Sequence, residues 1–506
     1  MENITEVLQL FLATENFLAI AVGVVVGVTV GSIPGLTATM AVALALPFTF
    51  SMEPVAAILL LVGIYKGGMY GGSITAILIR TPGSPASACT LLDGYPLAQQ
   101  GEAKKALKMA LYSSVIADFI SNIALIFFAA YLAKIALNFG APEFFWLICF
   151  SLTIIISLAS GSMIKGLIAA LLGILLSLVG LDSVFGSQRL TFNNYNLMDS
   201  ISFIPLLIGL FAIPEIIEFY RKKVVPHLRA KASGVGVTMA EFKRSIKSIV
   251  RGSLIGVVIG AIPGTGATAA AFISYSDAKR RSPNRDKFGK GELEGVAASE
   301  AGNNGVAGAT MIPLLSLGIP GDVITAIILG AFMVHGLTPG PILFQENLPL
   351  IYALFLGIML SSVILLFVGN AAIRYFSLIA DIPKAILFPI VLMFCVYGAY
   401  AVNNNTFDIW LMFAFGVLGY VFNRTGIPAA PFLIGFILGP MFEDNLRRSL
   451  LIGSNDLSIF VRGPITWFFI ALTIGSIVLA LYRFISVRQK RKHSMAELGK
   501  GRERKI

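Results

Sequence analysis

Apolar runs long enough to cross a bilayer alternate with short polar loops along almost the whole chain. They include residues 106–137, 143–160, 163–181, 201–219, 348–373, 384–402 and 462–482. About 20 consecutive apolar residues span the hydrocarbon core as a helix, so the pattern predicts an all-α polytopic membrane protein of about 10–12 transmembrane segments. The longest polar stretch, residues 220–250, is too short to bury a core of its own.

Two of these apolar runs are interrupted by nearly the same sequence. Residues 31–39 read GSIPGLTAT and residues 260–268 read GAIPGTGAT; six of nine positions match, 229 residues apart. Pro-Gly stands where a spanning helix should be continuous. A bilayer tolerates broken backbone only where protein or a polar cavity surrounds it, and matched breaks in two halves point to a transport site. A second break follows each copy: YGGSITAILIRTPGSPASA (70–88) and GATMIPLLSLGIPGDVITA (308–326), with Pro82-Gly83 matching Pro320-Gly321. The apolar pieces beside these second breaks read as about ten to fifteen residues each, too short to span alone. Pro ends one segment, and Gly lets the chain turn and a ligand approach.

The flanking charges change this picture from a repeat to an inverted one. Residues 1–15 and the Ser51–Pro54 loop lack Lys and Arg, whereas 221–251 and 279–290 are rich in them. The basic loop at 101–108 matches a loop at 341–350 that has none. Basic loops stay cytoplasmic, so the first copy enters from outside and the second from inside. The expected layout is a first inverted repeat over 1–220 and a basic cytoplasmic connector over 221–250. A second inverted repeat over 251–485 and a basic cytoplasmic tail over 486–506 follow. One segment resists this count: FEDNLRRS (442–449) carries two Arg in what reads as an external loop.

Helices that restart inside the membrane present free N–H groups and a positive dipole end, which favour an anion. Helices that stop there present carbonyls, which suit Na⁺ or a protonated donor. Small polar residues crowd the breaks. The candidate substrate-binding set is Pro34, Gly35, Thr37, Thr39, Ser73, Thr81, Gly83, Ser84, Gly264, Thr265, Asn303, Asn304 and Gly321. The competing structural reading for each Ser or Thr is a bond to its own helix. Charge is expensive in a membrane. Lys66 and Arg80 either attract an anion or snorkel to an interface. Asp322 either holds a cation or proton, or caps the following helix. Asp118 and Asn122, four residues apart, read as a helix-packing pair.

Composition narrows the classes. The 506 residues are 56% hydrophobic and 13% charged, with formal net charge +11. The basic residues lie in loops and in the tail, the ordinary positive-inside pattern, so nucleic acid is not an expected partner. Cys89, Cys149 and Cys395 are scattered in apolar contexts and read as inert buried thiols. The opening MENITEVLQLFLATEN has no basic segment and no small-residue cleavage site, so no cleaved signal peptide is expected.

Together GSIPGLTAT, GAIPGTGAT and the segments 70–107 and 295–341 resemble the large membrane subunit of the tripartite tricarboxylate transporters, the TctA family. With the hydropathy pattern, the resemblance covers nearly the whole chain. It implies a multi-pass secondary transporter of the bacterial inner membrane, importing small carboxylates such as citrate on an ion gradient. It implies two partners, a small membrane subunit of about four helices and a periplasmic solute-binding protein, with no cofactor beyond a coupling Na⁺ or H⁺. Asp322 departs from the small hydroxyl residue expected after GIPG. Two other readings are an intramembrane enzyme and a channel-type subunit. The first fails on motif: GIPGD has Pro320 where an intramembrane aspartyl protease has a different residue, and no convincing second Asp is present. No HExxH metal motif and no GxxxxGK[ST] phosphate loop occurs.

Overall fold

A computed structural model describes residues 2–158, 162–182, 185–221, 234–380 and 384–482. The expected tail at 486–506 and residues 222–233 of the expected connector lie outside the described residues. The chain is an all-α, multi-pass membrane protein; among the described residues the one strand pair is a two-residue ladder joining Gly180–Leu181 to Gln188–Arg189. Contacts divide it into two compact units that cut across the two sequence halves: Met1–Asn138 with Ser202–Val421, and Phe139–Ile201 with Phe422–Ile506.

The first unit opens with α1 (Glu2–Leu12), α2 (Thr14–Gly31) and α3 (Ala38–Ala45). Next come α4 (Pro54–Ile79), α5 (Ser87–Gln99) and α6 (Ala103–Ala136). Helices α7 (Ala141–Leu158) and α8 (Met163–Ser177) belong to the second unit, and α9 (Phe203–Arg221) returns to the first. There follow α10 (Met239–Gly260), α11 (Gly266–Arg281), α12 (Leu293–Ala309), α13 (Met311–Leu317) and α14 (Val323–Val334). The unit closes with α15 (Pro341–Glu346), α16 (Leu348–Ala380), α17 (Lys384–Asn403) and α18 (Thr406–Thr425), whose last turn passes into the second unit. The second unit ends with α19 (Ala429–Ile452) and α20 (Pro464–Tyr482).

Among the described residues, seven helices are long and apolar enough to cross a membrane: α2, α4, α6, α18, α20, and the stretches Leu348–Tyr375 of α16 and Ile386–Asn403 of α17. Of the apolar window of α4, 94% is buried, against 28% for α17. Helix α4 is therefore the enclosed centre of its unit, while α17 keeps a broad apolar face outward, as a lipid-facing helix does.

Close backbone approach builds that centre. Gly23, Gly27 and Gly31 of α2 face α4 so tightly that a Cβ would sit 2.3 Å from Leu60 O, 2.4 Å from Ile64 O and 2.5 Å from Gly68 O. Four-residue spacing puts all three on one face, the small-residue packing that membrane helices use. The same spacing recurs 229 residues later: Gly252, Gly256 and Gly260 of α10 pack on α12, and a Cβ on Gly256 would sit 2.8 Å from Gly302 O.

Three expectations change here. Helix α4 runs unbroken for 26 residues up to the second break, so it is a full spanning helix where a ten-to-fifteen-residue piece was read. The Gly-rich run of small residues dilutes its hydropathy without breaking it. Residues 239–250 of the expected connector are helical, the charged start of α10, where Thr238 and Glu241 form a capping box. Residues 442–449 are not a loop but part of α19; Arg447 pairs with Asp182 at 3.0 Å and with Glu443 at 2.8 Å. Those carboxylates offset the Arg447 charge that made the segment conflict with the loop count.

In the second unit, α8 and α19 meet through Gly173 and Gly435. A Cβ on Gly173 would sit 2.0 Å from Phe432 O, and one on Gly435 2.4 Å from Ala170 O. The Trp146 indole N–H donates to Phe460 O at 2.8 Å and ties α7 to the turn before α20.

Candidate functional site

The four breaks come together in pairs. In the first half, the Gly83 N–H donates to Gly72 O at 3.2 Å, and a Cβ on Gly83 would lie 2.8 Å from Gly31 O. The first and second breaks therefore touch at backbone distance, which explains glycine at position 83. In the second half, the Gly264 N–H donates directly to Gly321 O at 2.7 Å. Gly264 has φ +80°, a left-handed conformation that favours glycine. Gly321 is buried, Pro34 is half-buried and Gly35 is exposed with φ +94°.

Several predicted polar residues satisfy their own helices. Thr37 Oγ1 accepts from the Met40 N–H at 3.2 Å and caps α3. Ser84 Oγ accepts from the Ser87 N–H at 3.2 Å at the start of α5. Thr265 Oγ1 donates to Ile262 O at 2.9 Å, and Thr81 Oγ1 to Ile79 O at 3.2 Å. Thr39 is half-buried in the first turn of α3. Asp322 caps α14, its Oδ1 accepting from the Thr325 N–H at 2.8 Å. Its Oδ2 also accepts from the Tyr65 hydroxyl at 2.6 Å, which ties the fourth break to α4.

Lys66 does not snorkel. It is 1% exposed, and its Nζ lies 3.0 Å from Asp118 Oδ1 and donates to Asn122 Oδ1 at 2.9 Å and Ile358 O at 3.1 Å. Ser362 donates to Asp118 Oδ2 at 2.6 Å and completes the cluster. Asp118 and Asn122 are thus the seat of a buried ion pair joining α4, α6 and α16. Arg80 is exposed and left-handed (φ +55°), with its guanidinium 5.6 Å from the Tyr95 ring.

The centre of the site is a residue outside the predicted set. Glu300 of α12 is fully buried. Its Oε1 accepts from Ser73 of α4 at 2.6 Å and from Thr90 of α5; its Oε2 accepts from Ser114 of α6 at 2.9 Å and Asn304 at 3.3 Å. Four neutral donors from four helices hold this carboxyl, and no Lys, Arg or His contacts it among the described residues. Asn304 also donates to Ser114 at 2.8 Å. Ser73 and Asn304 therefore work together on Glu300.

One turn from Glu300, Asn303 is fully buried, and neither its amide oxygen nor its nitrogen has a hydrogen-bond partner among the described residues. A buried polar group left unsatisfied costs about 1–3 kcal/mol. Residues three apart lie on the same helix face, so Asn303 presents unused hydrogen-bonding capacity beside the carboxyl. The Asn303 pair of donors and acceptors was legible in the sequence. Glu300 was not singled out, although SEAGNNG is a single acid in a run of small residues with no basic neighbour within four positions.

A second buried acid, Asp93 of α5, lies one turn beyond Thr90. Its Oδ1 accepts from the N–H groups of Gly289, Gly291 and Glu292 at 2.8–2.9 Å, and Oδ2 from the Tyr275 hydroxyl at 2.8 Å. The loop that leads into α12 thus binds an internal anion, as helix N-termini do.

Broken helices packed in pairs around buried, incompletely partnered polar groups define a class, the multi-pass membrane transporter. The chain belongs to the Tripartite tricarboxylate transporter TctA family, which matches residues 17–434. This is a transporter family of a tripartite system, not an enzyme family. Two relatives come from Agrobacterium vitis. An uncharacterized 52.8 kDa protein in the TAR-I ttuC' 3'region is 36% identical over 98% of this chain and 99% of its own length. An uncharacterized protein in the TAR-II ttuC' 3'region is 38% identical over 48% of this chain and 99% of its own length. No solved structure matches the chain.

Proposed function

We propose that this chain is the large permease subunit of a binding-protein-dependent secondary transporter that imports small di- or tricarboxylates across the bacterial inner membrane. Its partners are a small membrane subunit of about four helices and a periplasmic solute-binding protein, and an ion gradient drives the cycle. The observation that carries the reading is Asn303. A fully buried amide with both ends unused, on one helix face with Glu300, is costly unless a ligand completes it. A carboxylate can accept from its NH₂ group. Transport by alternating access follows if each pair of breaks moves as a unit. The matched glycine packing of α2 on α4 and of α10 on α12 supports two repeats, and the opposite charge of their equivalent loops supports inversion.

The test is uptake of labelled citrate into proteoliposomes holding the full chain with both partners. Saturable accumulation driven by an ion gradient is expected. Movement linear in citrate concentration and indifferent to every gradient would mean a channel, and the reading would be withdrawn.

A further inference from the structure

The geometry points to Glu300 as the residue that carries a coupling proton, loaded through a chain of three serine hydroxyls, Ser73, Ser87 and Ser84, that leads to the second break. This inference rests on the reading of the chain as an ion-coupled carrier and names its ion and its ion site.

Charge comes first. Glu300 is 0% exposed and held only by neutral donors. A lone ionised carboxylate is costly in a protein interior and calls for a monovalent cation, Na⁺ or H⁺. The donor set separates the two. Both carboxyl oxygens already have two hydrogen-bond partners, so no lone pair is turned toward a metal ion. A proton needs no such opening. Three of the four partners are hydroxyls, which both donate and accept. When a proton joins Oε1, that O–H donates to Ser73 Oγ, and the Ser73 hydrogen turns away. Ser73 Oγ already has a second acceptor, Ser87 Oγ at 3.4 Å. No heavy atom need move far.

The same contacts make a path. Glu300 Oε1 to Ser73 Oγ is 2.6 Å, Ser73 to Ser87 is 3.4 Å, and Ser87 to Ser84 is 2.8 Å. Ser73 and Ser87 are fully buried; Ser84 is half-buried, between the exposed Pro82 and Pro85. The 3.4 Å step is the weakest link, and Ser87 sits on both of the outer steps. A proton from water at the break passes along the hydroxyls, forms an O–H bond on Glu300, and leaves to water when the site faces the other side. No electrons change owner.

The neighbouring titratable groups are otherwise engaged or neutral. From α4 and α5, Tyr70 and Cys89 are buried beside Glu300. Lys66 is taken by Asp118, and Asp93 by three backbone N–H groups and Tyr275 of α11. Tyr112 of α6 stacks edge-on with Phe242 of α10. Asp277 of α11 pairs with Arg280, Arg281 and Arg251 of α10. On α12, Glu294 accepts from Ser248 and Ser282, and Glu292, just before the helix, pairs with Arg244. None supplies Glu300 with a counter-ion.

The test combines two readouts on the full chain. Infrared difference spectra of the purified protein, wild type against Glu300→Gln, should show a protonated carboxylic-acid band at neutral pH that the variant lacks and that fades as pH rises. In proteoliposomes with both partners and no Na⁺, an inward proton gradient should drive citrate accumulation. Glu300→Gln should no longer accumulate citrate on that gradient. Ser87→Ala should slow proton-driven uptake on the order of tenfold with exchange intact, and Ser87→Thr should restore it. If no Glu300-dependent band exists at any pH, or if Glu300→Gln still accumulates citrate on a proton gradient, the proposal is overturned. A Glu300-dependent band in a protein that moves no citrate at all would leave Glu300 as a proton site and refute the transport reading instead.

Discussion

Two buried residues respond to substitution in opposite senses, and the contrast reads out their roles. Removing one partner of the Lys66–Asp118 pair strands a charge at the centre of α4, where both groups are 1% exposed. Asp118→Asn should therefore lower stability by about 3–5 kcal/mol, and Lys66→Met with Asp118→Leu should recover most of it. Thermal unfolding in detergent checks both; an unchanged midpoint for Asp118→Asn would contradict the pairing. Asn303 should do the reverse. Its amide is an unsatisfied buried group, so Asn303→Leu should leave the citrate-free protein equally stable or up to about 1–3 kcal/mol more so. The same variant should abolish the stabilisation that citrate confers. A variant that is destabilised without citrate would mark Asn303 as a packing residue. Much of this was legible in the sequence, because Asn303, Asn304, Ser73 and Ser84 stand out as polar residues near Pro-Gly. Glu300 was harder to see. Its partners Ser73, Thr90 and Ser114 lie 186 to 227 residues away, and only the packing of α4, α5 and α6 on α12 brings them to one carboxyl.

At the scale of elements, the glycine seams decide how closely the central helices approach. A side chain at Gly27 or Gly256 would drive into backbone, Ile64 O at 2.4 Å in one case and Gly302 O at 2.8 Å in the other. Gly27→Leu and Gly256→Leu should each separate their helix pair and abolish transport. Gly35→Ala sets a milder comparison, since a Cβ there meets nothing within 4 Å and only the φ of +94° resists it. Folded yield by size-exclusion chromatography should rank Gly35→Ala well above both seam variants; equal yields would mean the seams are not tight. The breaks themselves were legible, because Pro-Gly inside an apolar run has few structural meanings. The helices beside them were less so. Gly63, Gly67, Gly68, Gly71 and Gly72 make α4 look broken in sequence, yet those glycines are where other helices press against an unbroken 26-residue helix. Residues 442–449 look like a loop for a related reason: their charges mimic solvent exposure, whereas Arg447 is spent on Asp182 and Glu443.

At the scale of the molecule, the two halves repeat one plan: a helix with a four-residue glycine seam, a Pro-Gly break, a buried helix on that seam, and a second break touching the first. The proposed inverted topology adds the expectation that equivalent loops face opposite sides. Reporter fusions at residues 105 and 285 should both read cytoplasmic, because both adjoin basic segments; a periplasmic signal at 285 would contradict the inversion. The compact units divide the chain differently, since residues 139–201 are grouped with 422–506 and not with the rest of their own half. Loop charge reports sidedness but not which helices pack, so this partition was not readable from the sequence. The central claim is that the buried site carries a small carboxylate from one side to the other by alternating access. Counterflow measures this most directly. Proteoliposomes holding the full chain and its partners are loaded with unlabelled citrate, and the entry of labelled citrate is timed. The account predicts that internal citrate accelerates entry and that Asn303→Leu removes the acceleration. Entry that internal citrate leaves unchanged or slows would contradict it.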